Sequence, residues 1–278
     1  MKLVACIAAA AALAAVPAAH GAGPYNFSPV NQNNVKLTAE FWNPIIEYVS
    51  QKSGVHLVLK IGRTSADTTS FVIAQEVDFA YTNHMFSPER ERMGWKVFGR
   101  RNTPPIRGQI LVAADSPVKS LAELSGAEVA FAGSEAFVGY KVPYAELLRL
   151  NIPVKVVFGG NHDGAFSQLF SGRVKAAGAN SQLAEAYAQR EKRAFRVLWS
   201  SGEFNELALM ASPRVPAQER QAVAKAFTGM HLDPAGAGIL LRASELVKAV
   251  PPVQYVPATE AEYASYREFY RTAPAMLR

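Results

Sequence analysis

Ser134, His162 and Asp163 are the residues whose types could assemble a nucleophile, a base and a carboxylate. Their spacing speaks against that chemistry. Neighbouring His and Asp side chains rarely place the carboxylate on the far imidazole nitrogen, as a triad requires. Gly133-Ser134-Glu135-Ala136 is also not the strained G-x-S-x-G elbow that presents a nucleophile. No H-E-x-x-H or comparable spacing occurs, and a meeting of His84 with His162 is not read as a metal site. The reading is therefore of a protein that is not an enzyme, with no metal and no cofactor.

The same residues suit binding. Val129-Ala-Phe-Ala-Gly-Ser134-Glu135-Ala136 and Val156-Val-Phe-Gly-Gly-Asn161-His162-Asp163 each pass from a short apolar strand, through a glycine turn, into polar residues that open a helix. Strand ends of this kind deliver backbone N–H groups and short polar side chains to one crevice. Helix N-termini there favour oxygen-rich or anionic ligands. Ser134 either touches such a ligand or merely caps its helix. His162 reads as a ligand contact, and Asp163 as a helix cap or as the partner that orients His162, ahead of a direct ligand contact of its own. Tyr81, Thr82, Asn83 and His84 crowd polar tips at the end of another strand, and Asn31 follows the first strand at the same edge. Trp42 and Tyr140 read as packing, and His56 and His231 as structural.

Those turns need a scaffold of alternating strands and helices. Tyr25 to Val30 reads as a strand, and 37–53 as a helix whose apolar residues Phe41, Trp42, Ile45, Ile46 and Val49 share one face. Gly54 is placed to end that helix, and Asp67 to cap a helix over 67–75. Strands are read at 56–61, 77–81, 107–114, 128–132, 154–158, 174–179 and 196–199, and near 207–211. Helices are read at 135–150, 163–171, 181–192, 217–230 and 235–241, before a polar C-terminal stretch. The fold class is α/β, two lobes, each a mixed sheet flanked by helices, joined by a two-stranded hinge. Residues 24–111 and 207–278 are read as lobe I, and 112–206 as lobe II.

The first residues form an export signal. Lys2 precedes the apolar run 3–16, Pro17 breaks it, and Ala19-His20-Gly21 is a small-residue cleavage site, so 1–21 is read as a signal peptide. Cys6 is the only cysteine and falls within that signal, so the mature chain has no thiol chemistry. The formal net charge of +6 comes from scattered residues rather than a basic tract, so no nucleic-acid partner is expected.

Phe41-Trp-Asn-Pro-Ile, Asp115-Ser-Pro followed by Leu121-Ala-Glu-Leu-Ser-Gly126, Val129-Ala-Phe and Gly160-Asn-His162-Asp163 occur in an order that resembles the periplasmic solute-binding components of phosphonate, phosphite and phosphate ABC importers. The resemblance covers roughly residues 28–240. It implies a two-lobed periplasmic receptor, a monomer, that takes a small oxyanion and presents it to a membrane permease. The alternative is a sensory subunit read by a membrane histidine kinase, with a phosphorus or an arsenic oxyanion or another small solute. Carried over onto this sequence, Ser134 matches the first hydroxyl of the ligand turn and His162 with Asp163 the His-Asp pair. Tyr81 or Thr82 stands at an aromatic position, and Asn180 near an acidic one. The chain departs from the pattern at Glu135 and Ala136, where hydroxyl residues would follow Ser134. A carboxylate within about 4 Å of a phosphonate would repel it by roughly 1–4 kcal/mol per charge pair, unless Glu135 points away along the first helical turn.

Overall fold

The computed structural model describes residues 23–278. The signal segment and Cys6 lie outside them. Two sheets organise the chain. The first contains β1 (Tyr25–Pro29), β2 (Leu57–Leu59), β3 (Phe79–Thr82), β4 (Lys96–Arg101), β10 (Ala208–Ala211) and β11 (Tyr255–Val256), in the order β11-β4-β10-β3-β1-β2. The second contains β5 (Ile106–Ala113), β6 (Glu128–Phe131), β7 (Lys155–Phe158), β8 (Ala176–Asn180) and β9 (Phe195–Phe204), in the order β7-β6-β8-β5-β9. Both are mixed. β1 runs parallel to β2 and β3 while β10 opposes β3, and β6 runs parallel to β7 and β8 while β5 opposes β8.

Helices cover the sheets. α1 (Val35–Ser53) buries Phe41, Trp42, Ile45, Ile46 and Val49, which removes its apolar stripe from water. Asn34 opens it by accepting from the Leu37 N–H, and Gly54 closes it at φ +71°. α2 (Asp67–Ile73) and α3 (Pro88–Glu91) follow in the first half. The second half carries α4 (Val142–Arg149), α5 (His162–Phe170) and α6 (Ser181–Glu191). α7 (Ala217–Thr228), α8 (Pro234–Val247) and α9 (Ala264–Thr272) complete the chain.

Several expectations shift. The boundary read after residue 111 falls inside β5, which among the described residues pairs only with β8 and β9. The chain instead leaves the first sheet after Arg101, where Pro104 and Pro105 cannot donate to a ladder. It returns across 205–207, just before β10. Asp67 does not cap α2; its carboxylate accepts from the Thr64 N–H and the Thr64 hydroxyl and so fixes the preceding turn. The helix read over 135–150 begins with a π turn at Phe137–Lys141, in which the Lys141 N–H reaches Ala136 O, before α4 proper. β4 and α9 lie where no element was read. α9 buries Tyr266 and Tyr270 on one face, and these pack on Phe137 at ring distances of 4.3 and 5.6 Å. A helix in the segment assigned to lobe I therefore rests on the π turn of the second half.

Candidate ligand-binding cleft

The ends of β1, β2, β6 and β7 converge where the two halves meet. The Ser65 N–H donates to Gly160 O at 2.7 Å, and the His162 N–H donates to Gln32 O at 3.2 Å. Asp163 accepts from the Asn34 N–H at 3.1 Å and from Asn34 Nδ2 at 3.2 Å. Its other oxygen takes Arg190 Nη2 at 2.8 Å. Asp163 thus ties the halves together; Asn161 caps α5 instead, accepting from the Gly164 N–H. Both readings of Asp163, as a cap and as the partner of His162, give way to this bridging role.

Three buried side chains on this seam carry polar atoms that find no partner among the described residues: Asn31 Oδ1, Ser65 Oγ and His162 Nδ1. They are linked through the chain. Asn31 Nδ2 donates to Gly62 O, three residues before Ser65, and Asn31 precedes Gln32, whose carbonyl holds His162. Burial pushes the His162 imidazole down to about pKa 4, so it is neutral near pH 7. The ring lies against Gly139 of the π turn. A Cβ built there would stand 2.4 Å from His162 Cε1, so only glycine admits the imidazole.

Glu135 faces the seam, and neither reading of it as a repelling or an outward group describes its place. It pairs with Arg90 Nη1 at 2.5 Å, and Lys141 Nζ stands 3.9 Å away. Burial alone would raise its pKa, but Arg90, His84 and Lys141 together hold it at about 2. The carboxylate is neutralised across the halves. Ser134, by contrast, is exposed, and its hydroxyl makes no hydrogen bond among the described residues. Ala136 is buried, and its N–H donates to Gly133 O.

The strand-exit group splits. Thr82 Oγ1 accepts from the His84 N–H, and His84 Nδ1 lies 2.7 Å from Thr69 Oγ1. Burial, opposed by Glu135 and reinforced by Lys141 and Arg90, takes His84 to about pKa 3. Asn83 Nδ2 donates to Tyr266 Oη at 3.1 Å, and that hydroxyl donates to Asn205 O. Thr82, Asn83 and His84 therefore spend these polar atoms within the protein, near the crossing segments. Asn180 caps α6 by accepting from the Gln182 and Leu183 N–H groups.

Tyr81 alone of that group lines an open groove between the halves. Val30, Gln32, Trp42, Arg101 and Glu206 share its wall, and Gln182 and Gln189 of α6 face them. Arg101 and Glu206, both buried, were not singled out from the sequence.

The profile described as ABC transporter, phosphonate, periplasmic substrate-binding protein matches residues 27–263. The chain belongs to this family. Its members are substrate-binding components of transporters and not enzymes. A binding protein component of an ABC phosphonate transporter from Pseudomonas aeruginosa superposes with a TM-score of 0.76 at 15% identity, over 89% of this chain and 87% of that one. PhnD1 of Prochlorococcus marinus, solved with methylphosphonate, gives 0.75 at 14% identity over 89% and 97%. A Xanthomonas citri protein solved with ATP gives 0.68 at 15% identity over 90% and 96%. At such identities these structures show the two-lobed fold of two mixed sheets flanked by helices. No curated protein matches the chain. Family membership makes the protein a periplasmic solute-binding component that works with an ABC-transporter permease.

Proposed function

We propose that the protein captures a small phosphorus oxyanion, with methylphosphonate, phosphite and phosphate as the candidates, at the seam between its halves. The observation that carries this is the set of three buried polar atoms without partners among the described residues, Asn31 Oδ1, Ser65 Oγ and His162 Nδ1, on segments from both sides. Buried polar groups are costly unless hydrogen-bonded. The hydroxyl and a neutral imidazole supply donors for anionic oxygens. Asn31 is held by Gly62 with its oxygen free, which suits a ligand still carrying a P–OH. Opening the halves separates Ser65 from Gly160, Gln32 from His162 and Asn34 from Asp163, and reclosing around a ligand buries it.

On this reading residues 1–21 are an export signal removed on secretion, the mature protein is a monomer, and the closed form is what the permease recognises. Asn31, Ser65 and His162 are the ligand contacts, while Tyr81, Thr82, Asn83, His84, Glu135, Ala136, Asp163 and Asn180 shape and close the cleft. Titration calorimetry tests it. Ser65→Ala and His162→Ala should each weaken methylphosphonate binding by about 1–3 kcal/mol, and Ser134→Ala should leave it unchanged. Unaltered affinity in both seam variants overturns the site.

A further inference from the structure

The turn that carries Ser65 to the seam is held from behind. Residues 62–66 lie outside every helix and strand, so no ladder keeps them in place. Asp67, half-buried at the first position of α2, does so instead. Its Oδ2 accepts from the Arg63 N–H at 2.5 Å and from the Thr64 N–H at 2.9 Å, and its Oδ1 accepts from the Thr64 hydroxyl at 2.9 Å. Burial alone would raise its pKa, but the Thr64 and Arg63 donors outweigh that and hold the carboxylate below its usual value. The turn is drawn so close that a Cβ built on Gly62 would stand 2.2 Å from Asp67 Cβ.

The start of α2 is itself fixed to its surroundings. Thr68 Oγ1 donates to Pro29 O at 2.8 Å and lies 3.1 Å from Ser28 Oγ, and Thr69 Oγ1 lies 2.7 Å from His84 Nδ1. Pro29 stands just before the strand end that presents Asn31, so Asp67 ties the turn to that strand. The same turn takes Asn31 Nδ2 at Gly62 O. It then reaches the other half through Ser65, whose N–H donates to Gly160 O at 2.7 Å. The Ser65 hydroxyl sits against Gly133, where a Cβ would stand 2.5 Å from it. A turn fixed in this way holds Ser65 Oγ and Asn31 Oδ1 in one geometry before a ligand arrives, which removes the cost of ordering them on binding.

We propose that Asp67 is a positioning residue for the oxyanion site: by holding residues 62–65 it fixes Ser65 Oγ, and through Gly62 the Asn31 amide, at the spacing a phosphorus oxyanion needs. This role rests on the seam reading of the site. Asp67 acts through Ser65 and Asn31 and makes no ligand contact of its own.

Calorimetry on the mature protein with methylphosphonate tests it. Asp67→Ala, which removes both acceptor oxygens, should weaken binding at least about tenfold. Asp67→Asn should stay within about threefold of wild type, because its amide oxygen can accept from both N–H groups while its Nδ2 donates to Thr64 Oγ1. In a Ser65→Ala background the further loss from Asp67→Ala should shrink to under about threefold, since the hydroxyl it would misplace is already gone. A residue that merely stabilised the fold would cost the same factor in both backgrounds. Circular dichroism checks folding, and where Asp67→Ala is unfolded, Gly62→Ala, whose methyl pushes the same turn aside, takes its place. If the folded variant binds like wild type, or loses the same factor with and without Ser65, the positioning role is overturned while the site stands on Ser65→Ala and His162→Ala. If those two variants bind like wild type, the site itself falls and this role with it.

Discussion

Acid should destabilise this protein well before its carboxylates protonate, and the seam histidine is the reason. Buried neutral in the fold, His162 is held at about pKa 4 against 6.5 for the free side chain. Between those values the unfolded chain binds a proton that the folded chain refuses, so stability is fully present above about pH 6.5 and is lost as pH falls towards 4. Integrating the linkage from pH 7 to pH 5 gives a loss of about 2 kcal/mol from His162. His84, at about pKa 3 for the same first reason of burial, contributes about 2 kcal/mol more over that interval. The assay is urea unfolding followed by circular dichroism at pH 7 and pH 5. Wild type should lose about 4 kcal/mol across that range and His162→Gln only about 2 kcal/mol, whatever the variant's stability at pH 7. A pH dependence in His162→Gln equal to that of wild type refutes the argument, because it means that the imidazole titrates normally in the fold.

Other consequences follow from named contacts. Glu135→Gln removes the half-buried partner of Arg90 and Lys141 across the halves, so it should cost about 1–2 kcal/mol and shift solution scattering towards a more open form; unchanged melting and scattering would count against a clasp. Gly139→Ala drives a methyl to 2.4 Å from His162 Cε1 and should destabilise by about 1–3 kcal/mol while weakening methylphosphonate binding, read by thermal melting and calorimetry. Phe137→Ala empties the ring contacts with Tyr266, Tyr270 and Phe204 and should cost about 3–5 kcal/mol in chemical unfolding.

Local pattern determined much of this protein. The apolar stripe of α1, its Gly54 stop, and the strand–turn–helix passages at 128–136 and 155–163 can be read directly, because helical and strand periodicities are written in neighbouring residues. The alternation of those elements sufficed for the α/β two-lobed class, and His162 and Asn31 were marked by their place at strand ends. β4 escaped notice because its inward residues are Val97, Gly99 and Arg101, which give no apolar alternation. α9 was hidden in a polar stretch whose buried stripe consists of tyrosines.

Only the tertiary structure decided which polar groups remain free. Ser134 and Ser65 are both serines in glycine-containing turns, yet one is exposed and the other is buried at the seam without a partner among the described residues. Glu135 departs from the family pattern, but its charge is answered by Arg90, 45 residues earlier. Arg101 and Glu206, 105 positions apart, meet only because the chain crosses between its sheets beside both. Hydrogen-bond satisfaction and charge balance depend on neighbours in space, and those neighbours come from segments whose separation along the chain no local periodicity records.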